Sequence, residues 1–147
     1  MTGERRFVVD TSVAIKWIID EAGSDKADLL RGADMAVPAL LRIEAANVLR
    51  TLAARQGVSA EQATDLFLLL QTAPVTIVDA DDALERRALD LALELRHPVY
   101  DCLYLALADR MDRQLITADQ RFLRSLANTE HAARAVDLAA LGPVPPG

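Results

Sequence analysis

The chain has 147 residues, of which 52% are hydrophobic and 26% charged, and its formal net charge is −6. This length predicts one domain with a hydrophobic core of its own, and the lone cysteine, Cys102, excludes an intrachain disulfide. The acidic total argues against a protein that coats nucleic acid nonspecifically, and no window reaches the roughly 18 apolar residues of a membrane helix. We expect a cytoplasmic domain that does not bind membranes, with Cys102 as a small core residue.

Short apolar runs alternate with longer helical patterns along the chain. Runs typical of strands cover residues 7–9, 35–37, 75–78, 114–117 and 134–138. Helical patterns cover residues 12–19, 24–32, 39–55, 59–71, 82–95 and 99–110, and a short one starts at Asp119. Ser59 and Gln62 fit a capping box. One domain is therefore predicted over residues 1–141, followed by a disordered tail at 142–147, where proline and glycine disfavour regular structure.

This alternation predicts the fold class. Strands separated by helices favour crossover connections and a parallel sheet that is covered on both faces. Strands buried in this way are apolar throughout, as the runs at 7–9, 75–78 and 114–117 are. The sequence thus predicts an α/β protein, a three-layer α/β/α sandwich with a parallel central sheet. In such sheets ligands bind beyond the carboxyl ends of the strands.

Four acids follow the predicted strands and should therefore share one edge of the sheet. Asp10 closes the run at 7–9, Asp119 lies two residues past the run at 114–117, and Asp79 and Asp137 follow two others. Aspartate at such positions often caps the next helix. For Asp79 we favour this capping role over a chemical one, and a site role is expected even less for Asp137.

Two helical acids are good candidates to join Asp10 and Asp119. Glu44 lies among apolar residues of the helix at 39–55, with Asn47 about one turn further on the same side, so both need polar partners. Asp101 lies in the first turn of the helix at 99–110, where it could equally be a simple partner of the helix dipole.

Four carboxylates that meet at one edge repel each other unless one is protonated or cations neutralise them. Oxygen ligands without nearby Cys or His favour Mg²⁺ or Mn²⁺ over zinc. His97 is expected in a turn and His131 in a polar loop, neither with a partner at ligand spacing. The chemistry predicted is metal-dependent hydrolysis of a phosphate ester. The hydroxyls of Thr11, Ser12 and Thr117 either orient the acids or water, or form ordinary turn and cap hydrogen bonds.

Two alternatives stay open. A phospho-receiver-like domain is also parallel α/β, and Asp79 could act as its acceptor, but it needs a lysine at a later strand end and the last lysine is Lys26. The other alternative is a non-catalytic interaction module whose acids bind a basic peptide.

Four segments carry a resemblance to a known family: "VVDTSVAIKW", "PALLRIEAANVL", "HPVYDCLYLALA" and "LITADQRF", in this order over about residues 7 to 123. They resemble PIN-domain ribonucleases, in particular the VapC-type toxins of toxin–antitoxin pairs. The resemblance implies a PIN-like fold and a catalytic, metal-binding quartet that cuts single-stranded RNA with Mg²⁺ or Mn²⁺. By position the quartet is Asp10, Glu44, Asp101 and Asp119. The supporting polar residues are Thr11 or Ser12, Thr117 and Asn47.

The resemblance also implies two protein partners. One is a second copy of the chain in a homodimer, and the other is a cognate antitoxin that covers the site, often with a basic side chain among the acids. The run "LFLLL" at 66–70 is apolar all round a helical turn and must find cover. A monomer core and a partner chain are equally good explanations.

Overall fold

The computed structural model describes residues 5–142. Its sheet has five strands in the spatial order β3–β2–β1–β4–β5, and every neighbouring pair is parallel. The strands are β1 (Arg6–Val9), β2 (Asp34–Pro38), β3 (Thr76–Val78), β4 (Gln114–Thr117) and β5 (Ala135–Asp137). These strands match the predicted runs to within one or two residues at each end.

Seven α-helices connect the strands of the described chain. They are α1 (Thr11–Ala14), α2 (Ser24–Asp28), α3 (Leu40–Ala54), α4 (Ala60–Gln71), α5 (Asp82–Leu95), α6 (Val99–Met111) and α7 (Gln120–Leu126). Short 3₁₀ turns lie at Ile15–Trp17, Ala132–Arg134 and Leu138–Ala140. The predicted capping box at the start of α4 is present, since Ser59 and Gln62 exchange both hydrogen bonds.

The α/β/α sandwich is confirmed, and α6 is its most deeply buried helix. This helix packs against β1, β2, β4 and α5. Its residues Cys102 and Tyr104 through Ala108 are at most 1% exposed, because almost every position of the helix is apolar. Cys102 is a free, buried core residue, as predicted. No helix within residues 5–142 has the length and apolar character needed to cross a membrane.

The order of the strands determines where a ligand site can form. The chain moves outward from β1 through β2 to β3, then returns to the other side of β1 for β4 and β5. The connections from β1 and β4 therefore leave the sheet in opposite directions, which opens a crevice at the carboxyl ends of these two strands. Asp10 follows β1 at this point, and its backbone N–H still bonds to the carbonyl of Ile116 in β4 at 3.4 Å.

Two predicted helices are shorter than expected. The pattern at 12–19 forms α1 and a 3₁₀ turn, and the indole N–H of Trp17 donates to the carbonyl of Ala27 at 2.9 Å. The pattern at 24–32 forms only α2. After it the backbone makes i→i+3 hydrogen bonds, Leu30 is buried, and the chain then turns towards β2. The helix ends at Asp28, four residues before Gly32. The predicted tail falls almost entirely outside the described residues.

Candidate functional site

Asp10 lies at the centre of the sheet edge, between β1 and α1. It is 5% exposed and is the N-cap residue of α1, where Oδ1 accepts from the backbone N–H of Val13 at 3.3 Å. The Ser12 hydroxyl donates to the same oxygen at 2.5 Å, and the Thr117 hydroxyl donates to Oδ2. The two hydroxyls therefore fix both carboxylate oxygens, and Thr117 ties the end of β4 to the end of β1.

Burial dominates the electrostatics of Asp10. It raises the pKa of this carboxyl from its ordinary value of 3.8 to about 7, although the bonds from Ser12, Thr117 and Val13 lower it. The negative charge of Asp101 raises the pKa further. Asp10 is thus a buried acid whose hydrogen bonds do not fully compensate its charge.

Glu44 lies in the second turn of α3 and faces the start of α1. Its Oε1 accepts from the Thr11 hydroxyl at 2.9 Å and from the hydroxyl of Tyr104. The Thr11 and Tyr104 hydroxyls are themselves 2.9 Å apart. Tyr104 is 1% exposed, and burial first, then the charge of Glu44, raises the pKa of its phenol. A neutral phenol from α6 therefore holds the Glu44 carboxylate in place.

Asp101 projects from the first turn of α6 and is held by a histidine. His97 Nε2 lies 2.6 Å from Asp101 Oδ2, and the imidazole ring packs on Phe122 with centroids 4.9 Å apart. Burial raises the pKa of Asp101, as does the charge of Asp119, while His97 lowers it. The prediction that His97 has no partner at ligand spacing overlooked this contact, because the turn before Pro98 places the ring one helical turn from Asp101. It positions the carboxylate and does not itself line the crevice.

Asp119 both caps a helix and belongs to the acidic group of the crevice. Its Oδ1 accepts from the backbone N–H of Phe122 at 3.1 Å, so it caps α7. Its own backbone N–H donates to the Thr117 hydroxyl at 3.1 Å, which links it to Asp10 through one side chain. Capping and membership of the acidic group are therefore compatible at both Asp10 and Asp119.

These acids line one crevice of about 550 Å³. Among the described residues, its lining contains no lysine or arginine, so nothing there with a permanent positive charge offsets the acids. The lining residues are Asp10, Thr11, Ser12, Ile15, Leu40, Ile43, Glu44, Asn47, Val48, Tyr100, Asp101, Tyr104 and Asp119. Thr117 lies directly beneath, bonded to Asp10. The structure thus brings together all eight residues singled out from the sequence.

The other strand-end acids lie elsewhere. Asp79 is exposed beyond the edge strand β3, and it does not cap α5 as expected, because that helix starts at Asp82 and its N-cap is Asp81. An edge position also gives no support to a receiver-like role for Asp79. Asp137 accepts from Ala139 N–H at 2.9 Å and from the Gln120 side chain at 3.1 Å, outside the crevice.

The donor set of the crevice fits a hard divalent cation. All four carboxylates offer oxygen. Burial is the main cause of the raised pKa of Asp10 and of Asp101, and a nearby cation would favour the ionised form of both. In the described chain, no three of them bring oxygens within 4.8 Å of one another, since the one group that does so lies elsewhere. Carboxylates at this wider spacing can contact a hydrated divalent cation directly or through its waters.

Sequence reasoning missed Tyr104 and the role of His97. Tyr104 falls three residues after Asp101 on α6, the spacing that puts two side chains on one face of a helix. A tyrosine hydroxyl among otherwise apolar neighbours needs a partner, which was the available signal. His131 was also misjudged, since it lies 2.6 Å from Glu94, a residue distant in sequence.

The chain matches known proteins in its sequence profile and in its fold. The profile of the PIN domain family matches residues 7–127, most of the chain. No curated protein sequence gives a significant match.

Similar solved structures share the fold. A Pyrobaculum aerophilum protein is 22% identical with a TM-score of 0.69, over 92% of this chain and 85% of its own. A toxin–antitoxin complex from Klebsiella pneumoniae contains a chain 18% identical, with a TM-score of 0.64 over 89% and 96%. A sarcin–ricin loop cleaving toxin of Mycobacterium tuberculosis is 15% identical, with a TM-score of 0.59 over 95% and 99%. From the sequence profile, supported by the shared fold, the chain belongs to the PIN domain family.

Proposed function

We propose that this protein is an endoribonuclease that cleaves single-stranded RNA with Mg²⁺ or Mn²⁺, and that residues 1–141 form its single nuclease domain. The observation that carries the proposal is the crevice: four carboxylates meet there, Asp10 is buried with a raised pKa, and no lysine or arginine of the described chain lines it. A divalent cation is the simplest partner for such a site.

The catalytic and metal-binding residues of the proposal are Asp10, Glu44, Asp101 and Asp119. A bound cation would supply a water of lowered pKa and would neutralise charge on the scissile phosphate. Ser12 and Thr117 fix the two oxygens of Asp10, and Thr11 and Tyr104 fix Glu44. Such fixed orientation reduces the reorganisation that the acids need before reaction. We also propose that Asn47, which is exposed on the rim, contacts the RNA chain.

The cleavage assay that tests the proposal uses purified full-length protein, a labelled single-stranded RNA and Mn²⁺. Asp10→Asn should abolish cleavage while circular dichroism and melting show an intact fold, because the amide keeps the size and capping oxygen of aspartate. Asp81→Asn is the matched control, since Asp81 caps α5 in the same way but lies outside the crevice. Cleavage by Asp10→Asn at the wild-type rate, or full wild-type activity in excess EDTA, would refute the proposal.

We also propose that the protein is the toxin of a toxin–antitoxin pair and acts in the cytoplasm. The chain shares its fold with a protein from a toxin–antitoxin complex and with a toxin that cleaves the sarcin–ricin loop. The rim of the crevice carries exposed apolar side chains, with Ile43 69% and Tyr100 58% exposed. An antitoxin segment with apolar residues for the rim and a basic residue for the acids would complement this surface. Co-purification with the product of a neighbouring gene, lost in Tyr100→Glu, tests this part.

A homodimer completes the proposal. The sequence left open whether the run at 66–70 packs in the monomer core or against a partner chain. Leu70 is buried in the core, whereas Leu68 and Leu69 are 54% and 59% exposed. Adjacent exposed leucines on α4 are good candidates for a contact with a second copy. Sedimentation should show a dimer that Leu69→Glu weakens, and a wild-type monomer at all concentrations would exclude it.

A further inference from the structure

A second group of potential metal ligands lies away from the crevice. Glu94 is near the end of α5, and Glu130 and His131 lie in the connection between α7 and β5. One ligand atom from each of the three residues lies within 4.8 Å of the others, a spacing that the acids of the crevice do not reach. This group, Glu94–Glu130–His131, is called the histidine cluster below.

Two carboxylates lie near the same ring nitrogen of His131. Its Nε2 is 2.6 Å from Glu94 Oε2 and 3.7 Å from Glu130 Oε1. A ring nitrogen carries a single proton, so it can satisfy only one of the two carboxylates. Glu130 approaches without a hydrogen bond to the ring, and two acids therefore converge on one nitrogen. A small outward shift of the Glu94 carboxylate, which is half exposed, would let a divalent cation contact all three ligand atoms.

The burial of the three residues favours a built site over a chance contact. The His131 side chain is only 6% exposed, so packing fixes the position of the ring. The carboxylates are 49% and 81% exposed, which lets an ion enter from solvent. A cavity of about 640 Å³ borders Glu130 and His131 and leaves room for a water as a further ligand. The arginines of this cavity, Arg87 and Arg134, already pair with Asp109.

We propose that the histidine cluster binds one divalent transition-metal ion, with Zn²⁺ as the probe. One imidazole nitrogen and two carboxylate oxygens form a mixed donor set that suits zinc and leaves a fourth position for water. The ion replaces the proton shared by His131 and Glu94. It joins the end of α5 to the segment that leads into the edge strand β5, two elements far apart in the sequence. This role is independent of the proposed nuclease activity.

Histidine side-chain NMR tests the proposal directly, because the chain has two histidines, His97 and His131. Zn²⁺ titrated into ¹⁵N-labelled full-length protein should shift the Nε2 resonance of His131 and raise the melting temperature, since the ion binds the folded state. His97→Gln is the matched control, in which the shifted resonance must persist. A resonance that moves only at His97 would place the ion in the crevice and overturn the proposal.

Calorimetry with the Glu130→Gln variant completes the test. Glu130→Gln removes an exposed ligand and leaves the His131–Glu94 contact in place, so the fold should survive even if a buried His131→Gln variant does not. Loss of one ligand should weaken zinc binding at this site by more than about 100-fold, the upper end of what loss of an outer-shell partner costs. Unchanged affinity and stoichiometry in Glu130→Gln, with no zinc-induced shift of His131 in the wild type, would show that the cluster is only an ion pair.

Discussion

Asp10 and Asp81 both cap a helix, but Asp10 is buried and Asp81 is exposed to solvent. Each is the N-cap of a helix, and each accepts from the backbone N–H three residues ahead. Asp81 is exposed and receives two bonds of 2.8 Å from Arg110, which lower its pKa to about 2. Asp10 is buried, receives only neutral donors, and has a pKa raised to about 7.

The difference shows what helix capping does and does not require. A cap on the surface can pair with a cationic side chain that favours its ionised form, as Arg110 does for Asp81. A cap that lies buried beside Asp101 without an arginine costs the metal-free protein free energy. Capping alone therefore explains Asp81 but not the surroundings of Asp10. The metal site that we propose would account for them.

Asp119→Asn should give the largest effect on RNA cleavage. Asp119 is a third helix cap beside Asp10 and Asp81, and the change removes its charge but keeps its capping oxygen. Asparagine caps as well as aspartate does, so α7 should remain intact. Loss of a carboxylate from the proposed metal site should reduce RNA cleavage by more than about 100-fold, the upper end of what loss of a ligand's outer partner costs. Initial rates with Mn²⁺ measure this. Equal activity of Asp119→Asn and Asp81→Asn would remove the distinction between the two kinds of cap.

Tyr104→Phe should have the next largest effect. The change keeps the buried ring and removes only the hydroxyl that donates to Glu44. Loss of such an orienting contact typically costs about 10–100-fold in metal affinity or activity. The Mn²⁺ dependence of the rate should show a raised half-saturation concentration. A half-saturation concentration equal to that of the wild type would contradict an orienting role for the Tyr104 hydroxyl.

Asp10→Asn should stabilise the metal-free protein at high pH. The pKa of Asp10 is above its unfolded value, so the stability it contributes is present below about pH 4 and lost as pH rises through about 7. At pH 8 the variant should therefore unfold with a free energy higher by on the order of 1–3 kcal/mol, since it lacks the buried charge. Urea titrations in EDTA at pH 5 and pH 8 measure the difference. An advantage that is larger at pH 5 would contradict the raised pKa.

Asp81→Ala should give the smallest effect. It removes a cap of α5 and an exposed ion pair, and exposed pairs contribute little. We expect a modest fall in melting temperature and RNA cleavage at the wild-type rate. A large loss of cleavage would show that the start of α5 supports the crevice, which the geometry does not indicate.

The sequence predicted the fold well where local signals and burial agree. The strand at 114–117 and the helix at 82–95 have the predicted bounds, because apolar runs and helical periodicity were clear there. The short α1 and α2 were overextended, since tertiary contacts such as the bond from Trp17 to Ala27 replace regular helix.

The eight candidate residues could be found because strand ends and polar residues in apolar helices are visible in sequence. The side chains that orient them were harder to find. Tyr104 reaches Glu44 across 60 positions, and outside the crevice His131 reaches Glu94 across 37. Such pairs depend on how helices pack, and a single sequence does not carry that information. The left-handed residues Arg96 and Asp112, which end α5 and α6, likewise have no glycine to mark them.

The most direct test of the central claim is a crystal structure of the protein with Mn²⁺, with anomalous scattering used to locate the ions. The account predicts a manganese peak in the crevice, with Asp10 among its ligands or bonded to its waters, and loss of that peak in Asp10→Asn but not in Asp81→Asn. A crevice without manganese at a concentration that supports RNA cleavage would contradict it.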